Sequence, residues 1–362
     1  MKIYLKTLHL KKSVLLDALY KTSIVVPTKP LVPYCEFVRI RKVGDHLLFS
    51  ATDTTQDMCL TVPCEVTAQI DITLLHKDLW AYVKTIDSED ITFIVEEKRC
   101  VVKYGDTDTK AIFPLGDGEV VIQACDVEAK VFVSSDDVDQ IYDGTMGFIE
   151  SNDVVHEFLN GVMCFVHKGK VDMYAGSQNL LHRFTLPLDI TDRKFILPAQ
   201  FIRAMHMLNS ETMYIGVDDK SCWLESAGAK YFTKLVNSEL PDMKKFFAEI
   251  KHAEIDVVFD VKSMLDAIKK ASIFTDWAVK LAFVKDSLRI YAINSEHGKE
   301  FSTFINCKHN APADFEIGLT YRLLAKALQG RTGDVTLKIT DQKKGLFLPF
   351  EDSTYLLMPC VI

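Results

Sequence analysis

Three stretches of the chain carry the same succession of apolar and polar positions. Each opens with strand-like alternation that runs into helical i, i+3, i+4 spacing: KIYLKTLHLKKSVLLDALYK from Lys2, AKVFVSSDDVDQIYDGTM from Ala129 and EIDVVFDVKSMLDAIKKASIF from Glu254. Each later alternates again and stops in a small turn, as in HLLFSATD from His46, KVDMYAGS from Lys170 and SLRIYAIN from Ser287. The alanines of these segments fall at 51, 175 and 292, spacings of 124 and 117 residues. A second strand and helix then follow in QIDITLLHKDLWAYVKTI, RKFILPAQFIRAMHML and DFEIGLTYRLLAKALQG. Leu75, Leu79, Tyr82, Val83 and Ile86 trace the helical face in the first of them. A strand pair around a charged turn closes each stretch: ITFIVEEKRCVVKY, TMYIGVDDKSCWLES and VTLKITDQKKGLFLPF.

The letters differ between the stretches while the pattern recurs, and recurrence at a fixed period marks an array of similar units. The pattern predicts three similar α+β domains, 1–124, 125–252 and 253–362; three unrelated α+β stretches is the alternative. The length of 362 residues allows two or three domains, and 48% apolar with 25% charged residues is the ordinary globular balance. No apolar run approaches the roughly 18–20 residues of a membrane span. The opening MKIYLKTLHLKK has no continuous apolar centre, which reads as no secretory signal and a cytoplasmic protein.

Nine cysteines, at 35, 59, 64, 100, 125, 164, 222, 307 and 360, offer no two close pairs of the kind a zinc tetrahedron needs. Most lie in apolar runs, where a free Cys behaves as a small hydrophobe, and they read as reduced core thiols. GxxxxGK[ST], GxGxxG, HExxH and GxSxG are absent. The carboxylate pairs Asp136-Asp137, Asp218-Asp219 and Glu96-Glu97 stand at a helix start or in hairpin turns, where capping and solvation explain them. His76, His182 and His206 stand singly. The chain therefore reads as non-enzymatic, without metal or cofactor; a hydrolase with an unrecognised site is the outlying alternative.

Net charge is −8, which by itself speaks against a nucleic-acid partner. The placement of charge reverses that reading. The six predicted helices, taken as 9–21, 74–86, 134–146, 198–208, 261–274 and 320–331, sum to +5, so the rest of the chain holds −13. Five of the six are basic, and helices sharing one surface would form a positive track on a negative body, able to attract phosphates without reading sequence. The helix at 134–146 breaks the pattern with Asp136, Asp137, Asp139 and Asp143. The first two are helix-dipole partners; the pattern gives no reason for the others.

Four segments stand out: EFLNG (Glu157 to Gly161) followed 26 residues on by Pro187, FTKLVNSELPDMKKFF from Phe232, FEIGLTYRLLAKAL from Phe315, and the terminal YLLMPCVI. Together they resemble segments of the bacterial β sliding clamps, processivity factors of replicative DNA polymerase. Each is weak alone, and all four stand in order along the whole chain. The resemblance implies domains of DNA-clamp type, each with two helices on one face and antiparallel sheets outside. Two chains would pair head to tail, first domain against third, as a homodimeric ring lined by twelve helices. Helices about 10 Å wide give a circumference of about 120 Å and leave roughly 28 Å free, room for a duplex about 20 Å across.

By position, the residues expected to face duplex DNA are Lys11, Lys12, Lys77, Lys84, Arg203, Lys269, Lys270, Arg322 and Lys326, with Lys29 on the first loop. The resemblance further implies a pocket for short peptides of the polymerase catalytic subunit, an ATP-dependent clamp loader and other clamp-binding proteins. The matching residues are Leu159, Leu181, Pro241, Lys245, Phe246, Leu356, Met358, Pro359, Cys360, Val361 and Ile362. Core packing is the ordinary explanation for the leucines and Phe246. One loop departs from the family: where "A-T-D-G-H-R-L" is usual, this chain has AGSQNLL, with Ser177, Gln178, Asn179 and Leu180 replacing Asp, Gly, His and Arg. Glu157 and Phe158 likewise stand where the family often has aromatic residues near DNA. A monomeric peptide-binding scaffold that does not bind DNA is the competing reading.

Overall fold

A computed structural model describes residues 6–361, apart from 65–67, 106–108, 118, 119, 121, 127, 129, 151, 152 and 295. The first stretch gives β1 (Lys6–Lys11), α1 (Lys12–Thr22), β2 (Phe37–Val43), β3 (His46–Thr52) and β4 (Gln56–Pro63). It continues through β5 (Asp71–Leu75), α2 (His76–Thr85), β6 (Asp90–Val95), β7 (Arg99–Tyr104) and β8 (Lys110–Pro114). The second repeats the order with β9 (Val131–Val133), α3 (Ser135–Thr145), β10 (Gly161–His167), β11 (Lys170–Ser177) and β12 (Leu180–Leu186). Then come β13 (Lys194–Pro198), α4 (Ala199–Met207), β14 (Met213–Val217), β15 (Ser221–Ser226) and β16 (Ala229–Lys234).

A short helix, α5 (Met243–Ala248), leads to the third stretch. That stretch holds β17 (Ile255–Asp260), α6 (Val261–Ala271), β18 (Ala278–Val284), β19 (Ser287–Asn294) and β20 (Lys299–His309). It ends in β21 (Glu316–Thr320), α7 (Tyr321–Leu328), β22 (Asp334–Ile339), β23 (Leu346–Pro349) and β24 (Ser353–Leu357). All six predicted helices form; α5 lies outside them, its six residues too few to show a period. Short 3-10 turns at Ala124–Asp126 and Glu249–His252 lie at the two predicted joints.

By contact the chain forms two compact units, Met1–Asp139 with Gln200–Leu235 and Gln140–Ala199 with Val236–Ile362. The first holds a four-stranded antiparallel sheet, β1-β6-β7-β8, and an eight-stranded one, β5-β2-β3-β4-β16-β15-β14-β9. In the longer sheet β4 joins β16, with Met58 opposite Tyr231 and Leu60 opposite Ala229. The second unit holds one twelve-stranded sheet, β13-β10-β11-β12-β24-β23-β22-β17-β20-β19-β18-β21. Here β12 joins β24, with His182 opposite Tyr355 and Leu180 opposite Leu357. The middle stretch thus gives strands to both units.

Alternation along the strands places one face in each core. In β17, Ile255, Val257 and Phe259 are buried while the residues between them are half-exposed. Helix α6 adds Val261, Met264, Ala267, Ile268 and Ala271, and α7 adds Tyr321, Leu324, Ala327 and Leu328, all within one cluster. In the first unit Leu8, Leu15, Leu19, Ile40, Phe49 and Phe93 are fully buried. Each such side chain contributes about 1.5–3 kcal/mol on leaving water. Gly161, which ends the EFLNG segment and opens β10, has no room for a side chain: a Cβ there would sit 2.3 Å from the Leu197 carbonyl oxygen.

Cys35, Cys100, Cys164, Cys222 and Cys307 are buried free thiols, and Cys64 and Cys360 are half-buried ones. Burial pushes the Cys100 thiol up to about 12 and Cys164 higher, so neither supplies a thiolate at neutral pH. Cys59 corrects the uniform thiol expectation, because its sulfur is in a disulfide. Among the described residues no helix is long and apolar enough to cross a membrane.

Candidate nucleic-acid and peptide interfaces

Apart from Lys29, the expected DNA-facing residues sit on the helices or at their edges, in different environments. In the first unit α1 and α2 are tied by His76, whose Nε2 donates to the Leu19 carbonyl at 2.8 Å; burial holds this imidazole below its usual range and so neutral. Trp80 packs edge-on against His76 and near Tyr20, and the Lys84 ammonium lies 3.8 Å from the Trp80 ring centroid. That cation–π contact fixes the direction of an exposed lysine. Lys77 is exposed on the same helix and Arg203 on α4, while Lys29 is exposed in the loop after α1.

Lys11 and Lys12 differ from their neighbours. Lys11 is the last residue of β1, and a 2.6 Å bond and ion pair to Asp90 push its pKa up. Both partners are exposed, so the pair contributes little to stability. Lys12 opens α1 half-buried, its ammonium donating to the Ile86 carbonyl. In the second unit, Asp260 caps α6 by accepting from the Ser263 N–H at 2.8 Å, and Lys269 and Lys270 stand exposed in its last turn, where the helix dipole favours cations. Arg322 is exposed on α7 with Nε 3.1 Å from the Tyr321 hydroxyl. Lys326 is instead half-buried over the Phe148 ring, 4.8 Å from its centroid, and desolvation pulls its pKa down.

The helices are shorter than predicted. Lys11 and Arg331 fall outside them, so the six carry +1, +1, −4, +1, +2 and +2, a net +3 against −11 elsewhere. The segregation survives in weaker form. Arg331 serves a local purpose, pairing with Asp352 at 3.2 Å and donating to the Ser353 hydroxyl at 2.9 Å.

The acidic helix α3 is also largely explained. Ser134 and Asp137 cap it reciprocally: the Ser134 hydroxyl donates to Asp137 at 2.6 Å and accepts from the Asp137 N–H at 3.1 Å. Asp139 accepts from the Asn209 amide at 3.2 Å and lies 3.6 Å from His206 Nδ1, so it serves contact with the segment after α4. Neither partner was visible as such from the spacing. Asp143 is exposed, and nothing in its contacts explains it.

The expected peptide-pocket residues divide by burial. Leu159 and Leu356 are core, in one cluster with Tyr174, Met243, Phe247 and Phe347, and Leu181 is half-buried against it. Pro241 is half-buried before α5, while Lys245 and Phe246 are exposed on that helix, Lys245 lying 3.6 Å from Asp242. At the end of the chain Met358 and Val361 are exposed, Pro359 and Cys360 are half-buried, and Ile362 lies outside the described residues. Leu181, Phe246, Met358 and Val361 are thus among the apolar members of this set that reach solvent.

The departing loop holds this tail in place. The Asn179 carbonyl accepts from the Met358 N–H at 2.9 Å, and the Cys360 N–H donates to the Gly318 carbonyl at 2.9 Å. Gln178 donates through its amide to Asp153 at 3.1 Å, and Asp153 also accepts from the Val155 and His156 N–H groups. These bonds, led by that from His156, hold the Asp153 carboxyl down at about 2. The link from Gln178 to Asp153 lacked any sequence signal, since the two residues are 25 apart. Glu157 and Phe158 lie in the adjoining turn, Phe158 half-buried against the same apolar cluster. Among the described residues no group of three His, Cys, Asp or Glu side chains is placed to hold a metal.

Comparison with known proteins agrees with this architecture. Residues 6–116 match the family model for the DNA polymerase III beta subunit, N-terminal domain. A β sliding clamp of Chlamydia trachomatis is 18% identical over 281 residues, 75% of this chain and 67% of that protein. The sliding clamp of Pseudomonas aeruginosa superposes with a TM-score of 0.86 at 20% identity, covering 99% of this chain and 100% of the other. The DNA polymerase III beta subunit of Thermotoga maritima gives 0.86 at 16% identity, covering 98% and 99%. The fold of this chain is that of these proteins.

Proposed function

We propose that this chain, a member of the bacterial β-sliding-clamp family, works as a DNA sliding clamp: a head-to-tail homodimeric ring that encircles duplex DNA and tethers a polymerase to it. The observation that carries this reading is a pair of leftover strand edges. In the repeat order β4, β12 and β20 are equivalent, as are β8, β16 and β24. Within one chain β4 joins β16 and β12 joins β24. Among the described residues β8 pairs only with β7, and β20 pairs over Lys299–Asn306 only with β19. An open edge is a template for another strand, and the one joint of this series left unmade among the described residues is β8 with β20, which a second copy would supply. Head-to-tail pairing of two chains completes it twice and leaves three clamp domains per chain, 1–124, 125–252 and 253–362.

On this reading Lys77, Lys84, Arg203, Lys269, Lys270 and Arg322, with Lys29, meet phosphates loosely, while Lys11, Lys12 and Lys326 are held by their own neighbours. Sequence-independent phosphate contact lets the ring slide, and topology supplies the persistence that affinity does not. Leu181, Phe246, Met358 and the tail through Val361 form the exposed rim at which linear peptides of the polymerase, an ATP-driven loader and other clamp-binding proteins dock. Leu159 and Leu356 form the floor beneath it. The test is topological. Once loaded, the protein stays on closed circular DNA and leaves when the circle is cut once. Equal retention on linear DNA with free ends, or a stable 41 kDa monomer at micromolar concentration, would overturn the proposal in favour of a scaffold.

A further inference from the structure

The exposed apolar rim does not end at Met358 and Val361. The Asn179 carbonyl that holds the Met358 N–H follows Gln178, whose side-chain amide donates to Asp153 at 3.1 Å. Asp153 opens a tight turn. Its carboxylate accepts from the Val155 and His156 N–H groups, each at 2.8 Å, and its own N–H and carbonyl bond the Asn160 side chain, both at 2.8 Å. The turn holds Val154 and Val155 out in solvent, 86% and 76% exposed. Two neighbouring valines fixed in that position extend the rim of Leu181, Met358 and Val361 across the Gln178 link, and exposed apolar surface that continues in this way marks a contact site.

The charge around the extension is of one sign. Glu150 and Glu157 stand exposed on either side of the turn, and neither has a cation within ion-pair distance among the described residues. Glu150 accepts from the Gln178 N–H at 3.4 Å, and His156 directs its Nδ1 at Asp153, 3.7 Å away. Cations on the adjoining elements are engaged elsewhere: Arg183 pairs with Asp172 at 3.1 Å, and Lys326 lies over the Phe148 ring. The exposed lysines of the rim, Lys244 and Lys245, belong to α5, with Lys245 3.6 Å from Asp242. Carboxylates beside an apolar surface repel the phosphates of DNA and suit a cationic partner.

We propose, resting on the reading above that the rim docks linear peptides, that the partner peptide of this chain is basic on one flank. An apolar side chain of that flank covers Val154 and Val155, and a Lys or Arg beside it meets Glu150 and Glu157. Exposed ion pairs are weak, so the contact sets partner choice more than affinity.

Fluorescence polarisation of the full-length protein with two labelled peptides tests this. Both carry the apolar core Leu-Ser-Leu-Phe; one has Lys-Val-Lys at each end and the other Glu-Val-Glu, so that chain direction does not matter. The lysine-flanked peptide should bind at least about fivefold tighter in about 0.05 M salt, the scale of two exposed ion pairs, and lose most of that advantage in about 0.5 M salt. The chain's net charge of −8 favours any basic peptide, and Glu150→Gln with Glu157→Gln separates that background from the local contact by removing most of the advantage. Val154→Ser with Val155→Ser should weaken both peptides alike. Equal binding of the two peptides, or an advantage that survives the paired Gln substitutions, would overturn the proposal and leave the peptide rim standing. Binding of neither peptide would remove the rim and the proposal with it.

Discussion

The proposed joint between β8 and β20 has a definite register, and one side chain tests it. In the two joints within the chain, Met58 faces Tyr231 and His182 faces Tyr355. The hairpin partners Ala51–Met58, Ala175–His182 and Ala292–Phe301 are equivalent, as are Val102–Ala111, Leu224–Tyr231 and Leu348–Tyr355. Phe301 should therefore face Ala111 of the second copy, which sets Ile112 opposite Glu300 and Lys110 opposite Ser302. The faces agree: Ala111 and Phe113 are the more buried residues of β8, as Phe301 and Thr303 are of their part of β20, while Lys110, Ile112, Glu300 and Ser302 are exposed. A slip by one residue would put each set on the wrong side of the sheet.

Ile112 is 51% exposed, so a joint that covers it recovers about half of the 1.5–3 kcal/mol of full burial, or about 1 kcal/mol. Ile112→Asp loses that and places a carboxylate directly across from Glu300, at a further cost of up to about 1 kcal/mol. A ring has two joints, so the variant should weaken dimerisation by about 4 kcal/mol, roughly a thousandfold in Kd. Adding Glu300→Lys turns repulsion into attraction and should return about half of the lost free energy or more. Sedimentation over a dilution series of the single and double variants reads both numbers. If Ile112→Asp dimerises like the parent, the joint is wrong. If Glu300→Lys brings no recovery, the register is wrong, and a register that set residue 112 against Lys299 would make the aspartate stabilising.

Burial, the largest influence on it, pushes His182 down to about 4, so the unfolded chain binds more protons between about pH 6.5 and 4. Stability should fall by about 3 kcal/mol as pH drops through that window, measured by urea unfolding, and His182→Gln should flatten the slope. Replacing Lys269, Lys270 and Arg322 with Gln should shorten retention on nicked circular DNA and lower the salt slope by about 0.9 for each phosphate no longer neutralised; unchanged retention would mean these helices do not meet the duplex. Deleting Pro359 to Ile362, or replacing the exposed Phe246 with Ala, should reduce binding of a clamp-binding peptide at least tenfold in a fluorescence-polarisation titration while the dimer persists; loss of the dimer would mark the tail as structural.

Local pattern made most elements legible. The period-2 and 3.6 signals in KIYLKTLHLKKSVLLDALYK and its counterparts are strong because each strand passes directly into its helix, and these pieces formed as predicted. What escaped notice depends on partners distant in sequence. A lysine on an amphipathic helix is ordinarily solvated, yet Lys326 is drawn over Phe148, 178 positions earlier, and no local property of YRLLAKAL records that. Asp139 looked unexplained until Asn209 and His206 were placed beside it. Leu159 and Leu356 lie in motifs that resemble a ligand pocket, but both are buried in one cluster with Tyr174 and Phe347 from other strands. The joints of β4 to β16 and β12 to β24 are pairings across more than 160 residues, which propensity and spacing do not encode.

Those joints also account for a fold kept at 16–20% identity. A strand joint is made by main-chain donors and acceptors, indifferent to side-chain identity as long as the inward and outward alternation is preserved. The loop from Ser177 to Asn179 shows the consequence. Its side chains depart from the pattern of the clamps this chain resembles, and β12 beside it pairs residue by residue with β24, Leu180 with Leu357 through Phe184 with Ser353. At the rim beside it, the Gln178 side chain bonds Asp153, and Asn179 holds Met358 through its main-chain carbonyl. On the proposed reading, ring closure rests mainly on backbone atoms and peptide choice mainly on side chains. Exchanging Gln178 for Ala should accordingly shift peptide affinity, by freeing the loop beside Met358, while leaving the dimer's dissociation constant where it was; a parallel loss of both would show that the rim and the joint are one structure.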